Sequence, residues 1–541
     1  MADDIFGIDL GTTYSAIAHI NDLGQPEVIL NREGDPTTPS VVYFESDQHY
    51  VVGKEAKNGA VLNSDSTIAL IKRHMGTQLA LEYFGKTYSP ESISALILKD
   101  LVEYARDATG LQTNKVVITV PAYFGITEKA ATRQAGEIAG LEVVGIVTEP
   151  VAAALSVGIR GEEARTLFVY DLGGGTFDCT VMQVASDRVD VIAIDGNRRL
   201  GGADWDTRLF DLAAKKFVDQ ASLDEDPTAD EDFAQRLLTE VEDAKKTLSR
   251  RDKTSLMLSY GDAREKVEVS RTEFEEATRS LVEETLDIVR RTMAKASEKA
   301  QEQGFELVLD EVLLVGGSSR MPMIEASLEQ EMGWTLRKTE LDLAVAKGAA
   351  IYGQGEPIAE GTADDVGASD GEDGEATTPQ EKRLQIGGKT VTISNVLSKG
   401  LGVKFIRDAA GGGSEHHIWF LAHPNDKLPL VASTGAATYA EGQTEIEINI
   451  FEQDSAVESE RVEDNREVTP ATGSVISSLP NLPKGSPIEF DLAIDTEGNA
   501  VVTAFEPASG QRLQLEVRIS VLQQDEVDKA TQIVAGLSRR E

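Results

Sequence analysis

Apolar and polar residues follow two different rhythms along this chain. Up to about residue 354, short apolar runs alternate with longer stretches of helical period. Val116-Val-Ile-Thr-Val120 is such a run, closed by Pro121, and reads as a buried strand. Ser89-Pro90 reads as an N-cap followed by a first-turn proline. Ile93, Leu96, Ile97, Leu101 and Ala105 then recur at helical spacing until Gly110, a natural stop. Strands interleaved with helices predict an α/β fold whose sheets are covered by helices.

Beyond residue 384 the period is two. Ile446, Ile448 and Ile450 alternate with Glu447 and Asn449. Ile488, Phe490, Leu492 and Ile494 alternate with Glu489, Asp491 and Ala493, and Leu513, Leu515, Val517 and Ile519 follow suit. Turn signals such as Asp495-Thr-Glu-Gly498-Asn499 separate them, so an antiparallel β-sandwich is predicted over 384–522, with 391–406 as its first strand. Val527, Ala530, Ile533 and Val534 give one short amphipathic helix within 523–541. Residues 355–381 carry nine acidic side chains and no Lys or Arg. Such a segment buries too little apolar surface to offset its ordering entropy, so 355–383 is expected to be a flexible acidic linker after a first domain at 1–354.

Composition narrows the classes. Over 541 residues, 92 Asp and Glu outweigh 52 Lys and Arg, a net charge of −40 that opposes nucleic acid or an anionic membrane surface as main partner. A hydrophobic share of 41% supports a large core. The lone Cys179 excludes a disulfide framework and reads as a strand core residue. The longest apolar stretch is interrupted by Thr148-Glu149-Pro150, short of the roughly 18 residues a membrane helix needs. Met1-Ala-Asp-Asp lacks the look of a secretory leader, and a cytoplasmic protein is expected.

The chemistry lies in an approximate internal repeat. Ile5-Phe-Gly-Ile-Asp9 is a strand running into Leu10-Gly11-Thr12-Thr13 and out along Ser15-Ala-Ile-Ala-His-Ile20. Leu167-Phe-Val-Tyr-Asp171 runs into Leu172-Gly173-Gly174-Gly175-Thr176 and out along Cys179-Thr-Val-Met-Gln-Val184. Each is strand, aspartate, Gly/Thr turn, strand. Glycine lets backbone N–H groups approach a ligand without a Cβ between, and successive amides make an anion nest. An aspartate beside a phosphate calls for a cation between them, and magnesium, which keeps most of its waters, suits it. Two such hairpins facing each other would grip a polyphosphate from both sides. A third element, Glu311-Val-Leu-Leu-Val315 into Gly316-Gly317-Ser318-Ser319-Arg320, would let a flat nucleoside lie against backbone. Gly388-Lys389-Thr390 mimics the end of a P-loop, but Arg383 stands where its first glycine belongs.

These residues resemble the actin-like ATPase superfamily and, within it, the 70-kDa heat-shock (DnaK-like) chaperone family. The resemblance is carried by Phe6-Gly-Ile-Asp-Leu-Gly-Thr-Thr-Tyr-Ser15, Val120-Pro-Ala-Tyr-Phe124, Thr148-Glu-Pro-Val-Ala-Ala-Ala154, Asp171-Leu-Gly-Gly-Gly-Thr-Phe-Asp178, Leu200-Gly-Gly-Ala-Asp-Trp-Asp206, Val315-Gly-Gly-Ser-Ser-Arg-Met-Pro322 and Ala344-Val-Ala-Lys-Gly-Ala-Ala350. It implies a two-lobed actin-like ATPase domain that hydrolyses ATP to ADP with magnesium, and with potassium nearby. By the family pattern Asp9, Asp171 and Asp178 hold the metal, largely through waters. Gly11, Thr12, Thr13, Tyr14, Gly173, Gly174, Gly175 and Thr176 resemble the phosphate grip, with Gly201 and Gly202 as a further contact. Lys72, Glu149, Asp171 and Thr176 resemble the catalytic set around the γ-phosphate. Glu242, Lys245, Lys246 and Ser249 resemble the adenosine clasp, with Gly316, Gly317, Ser318, Arg320 and Asp342 around it.

The resemblance also implies extended apolar segments of unfolded polypeptide as ligand, with Ile406 and Tyr439 arching over it and Ile446 in the pocket. It implies J-domain co-chaperones and nucleotide-exchange factors as partners of a monomer. The chain departs from the family at the surfaces those partners use: the stretch after Met75-Gly76 and the hairpin Ser259-Tyr-Gly-Asp-Ala-Arg-Glu-Lys266 are short, and Gly145-Ile-Val-Thr148 lacks the usual Arg and Asn. The helical lid is reduced to one helix. A rival reading is a nucleotide-gated regulatory scaffold whose sandwich binds one specific partner.

Overall fold

The two hairpins occupy equivalent places in two sheets of a computed structural model. It describes residues 4–540 except 158–163, 338–342, 358–381, 387, 409–412, 456, 469–474, 477–478, 508–509 and 518–520. In the first lobe, Phe6–Asp9 pairs in parallel with Lys115–Val120 and antiparallel with Tyr14–Ile20. In the second, Arg165–Leu172 pairs in parallel with Glu311–Val315 and antiparallel with Phe177–Ala185. The repeat in the sequence is therefore a repeat of topology. Each hairpin opens at the carboxyl end of parallel strands, where open α/β sheets form their ligand crevices.

Helices cover these sheets as the periodicity predicts. Pro90–Thr109 is capped by Ser89, which accepts from the Ser92 N–H, and stops at Gly110, whose φ of 75° a non-glycine residue would resist. Ile93, Leu96, Ile97, Leu101 and Ala105 are all buried in the first lobe's core with Phe6, Ile8 and Ile118. A second core gathers Phe168, Phe177, Cys179 and Trp205 in the other lobe. A third, around Glu149–Val157 and Ala344–Gly353, joins the lobes: Ile5 and Val117 of one pack with Val169 and Leu313 of the other.

The C-terminal part forms two four-stranded sheets. One runs Ser414–Ala422, Leu401–Asp408, Ile450–Gln453, Asn465–Glu467; the other runs Leu430–Ala437, Pro487–Ile494, Ala500–Glu506, Gln511–Val517. Ile448, Ile450, Ile488, Phe490, Leu492 and Ile494 fill the core between them, as the alternation predicts.

Two expectations are corrected. Residues 391–406 are not one sandwich strand. Lys389–Ser394 instead pairs in parallel with Arg188–Asn197 of the second lobe, and antiparallel with Lys382–Ile386. Leu384, Val391 and Ile393 are buried against Val189 and Val191, so the apolar face of this segment packs on the edge of the second lobe's sheet. The sandwich begins with Leu401–Asp408. Most of the acidic segment 355–383 lies outside the described residues. The C-terminal helix, Gln524–Ala535, is not a lid on the sandwich: Val527, Val534 and Leu537 are buried in the first lobe's core. Ser538–Arg539 then adds a parallel strand to His49–Val52, and Arg539 pairs with buried Asp100.

The sandwich sits on the first lobe through polar contacts. Glu452 accepts from the Ile126 N–H (2.7 Å) and the Thr127 hydroxyl (2.8 Å), and the Ser398 hydroxyl donates to the Phe124 carbonyl (2.8 Å). Lys399 Nζ meets both oxygens of Glu128, at 3.1 and 3.2 Å. Burial alone would raise the Glu128 carboxyl, but Lys399, Arg466 and Arg198 outweigh it and hold it low. Removing Lys399 would leave Glu128 and Glu452 buried with less counter-charge, at a cost of about 3 kcal/mol. Lys399→Met is therefore expected to lower the thermal midpoint and to speed protease cleavage between the two parts. Wild-type melting together with wild-type digestion would contradict that.

Candidate functional site

The two glycine turns meet tip to tip. A Cβ on Gly174 would stand 2.1 Å from Thr13 Oγ1, and one on Gly175 would stand 2.2 Å from Thr12 Cγ2. The third element closes the same junction. Gly316, at φ 82°, faces the Leu172 carbonyl so closely that a Cβ would fall 2.4 Å from it and 2.7 Å from Asp171 Oδ1. Gly317 has nothing within 4 Å of where its Cβ would be, so bare backbone faces open space there.

Between these turns lies a cleft of about 920 Å3, within the range of nucleotide-sized ligands. Asp9, Gly11, Thr12, Thr13, Tyr14, Lys72, Glu149, Asp171, Gly173, Gly174 and Thr176 line it, as do Glu242, Lys245, Lys246, Ser249, Gly316, Gly317, Ser318 and Arg320. Gly175, Gly201, Gly202 and Asp178 stand in a second row. A Cβ on Gly201 would strike the Gly175 backbone at 2.5 Å, one on Gly202 would strike Ser318 Oγ at 2.2 Å, and Asp178 Oδ1 accepts from the Tyr123 N–H at 2.8 Å. Asp342 lies outside the described residues.

The floor of the cleft is acidic and largely buried. Burial, then the charge of Glu149, pushes the Asp9 carboxyl up to about 7. The same two causes push Asp178 up to about 7 and raise Asp171 well above the usual carboxylate range. Lys72 stands among them, its Nζ 2.8 Å from Glu149 Oε1 with both side chains buried, and 5.7 Å from the centre of the Phe124 ring. Such a carboxylate group is short of positive charge. Among the described residues no group of three or more His, Cys, Asp or Glu is close enough to hold a metal directly. The donors fit a magnesium ion that keeps its own waters and is held through them.

The far end of the cleft is cationic. Glu242, from the helix Glu231–Leu248, accepts from Tyr14 Oη at 3.1 Å, Lys57 Nζ at 2.5 Å and Lys246 Nζ at 2.8 Å. Burial would raise this carboxyl, but Lys57 and Lys246 overcome it and hold it at about 2. Lys245 donates to the Gly202 carbonyl (2.8 Å) and to Asp206 (2.7 Å). Lys57 and Asp206 belong to this constellation and Arg73 lines the same cleft; sequence reasoning named none of the three as a site residue. Asp206 ends the quoted run Leu200–Asp206 and Arg73 directly follows Lys72, but Lys57, in Lys54–Gly59, carries no local signal.

The three peptide-site candidates differ in exposure. Ile406 is exposed, Ile446 is buried in the sandwich core, and half-buried Tyr439 bonds through its hydroxyl to Asp408 Oδ1 at 3.3 Å. Among the described residues no helix is long and apolar enough to cross a membrane.

Comparison with known proteins points one way. The family described as Hsp70 protein matches residues 5–83 and 77–367. Chaperone protein DnaK of Thermosipho melanesiensis is 36% identical over 524 residues, 95% of this chain and 80% of its own length. Chaperone protein DnaK of Halobacterium salinarum is 36% identical over 520 residues, 94% of this chain and 74% of its own. That of Thermosipho africanus is 35% identical over 537 residues, 97% and 82% respectively.

The raised carboxyls predict a pH dependence. In the nucleotide-free protein Asp9 and Asp178 keep protons up to about pH 7, whereas in the unfolded chain they lose them near pH 4. The folded state holds more protons in that window, so these groups make unfolding free energy fall as pH rises from about 4 to 7. Saturating magnesium and ADP should flatten that fall by supplying the missing charge. Urea melts at several pH values, with and without Mg-ADP, read it directly. Parallel pH profiles in the two conditions would contradict the assignment.

Proposed function

The chain belongs to the Hsp70 family, and on that premise we propose how its own residues carry out the family's work. It is an ATPase and an ATP-dependent chaperone in protein folding that binds unfolded polypeptide. Relatives that share about a third of its residues over nearly its whole length favour this over a scaffold with one dedicated partner.

In the proposed mechanism the backbone amides of residues 11–14 and 173–176 cradle the β- and γ-phosphates, with the Thr12, Thr13 and Thr176 hydroxyls as further donors. Asp9, Asp171 and Asp178 would hold magnesium, largely through waters, and potassium is proposed beside the same carboxylates. Magnesium would neutralise the charge that spreads over the equatorial oxygens as the γ-phosphoryl group is transferred. Lys72 adds positive charge on the attacking side. Glu149 and Asp171 orient the attacking water and take up its proton; neither is assigned as sole base. Glu242, Lys245, Lys246, Ser249, Ser318 and Arg320 hold adenosine, Gly316 and Gly317 give it a flat bed, and Asp342 is proposed beside it. Ile406, Tyr439 and Ile446 are proposed to meet the peptide. J-domain co-chaperones and exchange factors remain the proposed partners of the first-lobe and second-lobe surfaces.

The observation that supports this most is the buried Lys72–Glu149 pair, 2.8 Å apart beside three carboxylates at the floor of a cleft that two glycine turns close. A lysine placed to stabilise charge in the transition state contributes to rate rather than to ground-state affinity. Lys72→Ala is therefore expected to keep ATP affinity within about threefold and to lose about 100-fold or more in single-turnover hydrolysis. A variant that hydrolyses bound ATP at the wild-type rate would remove Lys72 from the mechanism.

A further inference from the structure

Arg73 follows Lys72 in the turn Ile71–His74, and the two side chains leave it for different lobes. The turn is anchored in the first lobe by Ile71 and Met75, both in its core. It is entered through Leu70, whose φ of 57° places a leucine in the left-handed region, a conformation that persists where surrounding structure demands it. Lys72 reaches Glu149, whereas Arg73 crosses the cleft. Its Nε donates to the Gly175 carbonyl at 2.9 Å, and its Nη2 meets Asp204 Oδ2 at 2.6 Å.

Both acceptors belong to the second lobe's phosphate-facing assembly. Gly175 is part of the glycine turn. Asp204 Oδ2 also accepts from the Gly201 N–H at 2.8 Å, at the start of the helix Gly202–Ala221. That helix start is bonded back to the turn: the Gly202 N–H donates to the Gly173 carbonyl and the Ala203 N–H to the Gly174 carbonyl, both at 2.9 Å. One guanidinium thus connects the segment carrying Lys72 to the segment that grips phosphate. Its fork serves two acceptors at once, which a lysine ammonium on a flexible stem does not reproduce.

We propose that Arg73 is a positioning residue for ATP hydrolysis, a strut that sets the distance between the Lys72 ammonium on one lobe and the glycine turn of the other. Arg73 touches no reacting atom in this scheme. It fixes where the γ-phosphoryl group, held by one lobe, lies against the lysine carried by the other. The inference rests on the proposed role of Lys72. A strut that spans the lobes must also break when the cleft opens, so its loss speeds ADP release.

The test compares full-length wild type, Arg73→Ala, Arg73→Lys and Lys72→Ala. Equilibrium ATP affinity, single-turnover hydrolysis of prebound ATP, and ADP release are measured for each, with thermal midpoints alongside. A misplacement of about 1 Å costs on the order of 100-fold in rate. Arg73→Ala should therefore lose about that much in single-turnover rate, with ATP affinity within about threefold and faster ADP release. Arg73→Lys should recover only part of the rate. A rate loss no larger than the affinity loss, or full recovery by lysine, would overturn the proposal. If the alanine variant does not fold, the same ratio of rate loss to affinity loss is read in the lysine variant. Wild-type hydrolysis by Lys72→Ala would count against the catalytic lysine itself, an outcome separable from the Arg73 result.

Discussion

The contact between two glycine turns is the constraint on which the rest of this structure depends. Gly174 against Thr13 and Gly175 against Thr12 leave no room for a single added carbon, so the two lobes can approach closely only if those positions stay bare. That approach brings Asp9 and Asp171 to one cleft from strands in different sheets. It also buries them, and burial beside Glu149 makes their charged forms costly until a cation arrives. Close packing of the turns, acidity of the floor and demand for magnesium are thus successive consequences of one steric fact.

From this junction outward the molecule extends by edges. The second lobe's sheet does not end at Arg188–Asn197; Lys389–Ser394 and Lys382–Ile386 continue it. The sheet containing His49–Val52 gains Ser538–Arg539 in the same manner. Unpaired strand edges invite further strands, and here the chain's own later segments fill them. The sandwich is held between these two attachments and by the Glu128–Lys399–Glu452 contacts near Phe124. Phe124 follows Tyr123, whose N–H meets Asp178 behind the cleft. A continuous run of bonded groups therefore links the carboxylate floor to the sandwich.

Much of this was legible in the residues alone because the determinants are local. A strand that ends in aspartate and enters a Gly/Thr turn announces its geometry within ten residues, and its recurrence announces the second lobe. The helix Pro90–Thr109 could be read from its serine cap, its spacing and Gly110. What escaped is what depends on distant partners. Val391 and Ile393 alternate like any half-buried strand, and nothing in that pattern says which sheet they join. Val527 and Val534 mark an apolar helix face without naming the lobe that covers it. Lys57 meets Glu242 and Tyr14 only after folding, so no spacing could have marked it as part of the cationic end of the cleft.

The most direct test of the account compares the affinities of the full-length protein for ATP and AMP in the presence of magnesium, by calorimetric titration. If the facing turns grip the β- and γ-phosphates, each charge-assisted bond contributes about 1.5–3 kcal/mol, so AMP should bind at least about 100-fold more weakly than ATP. Equal affinity for the two nucleotides would mean that the turns do not hold the phosphate chain, and the reading of the cleft would fail.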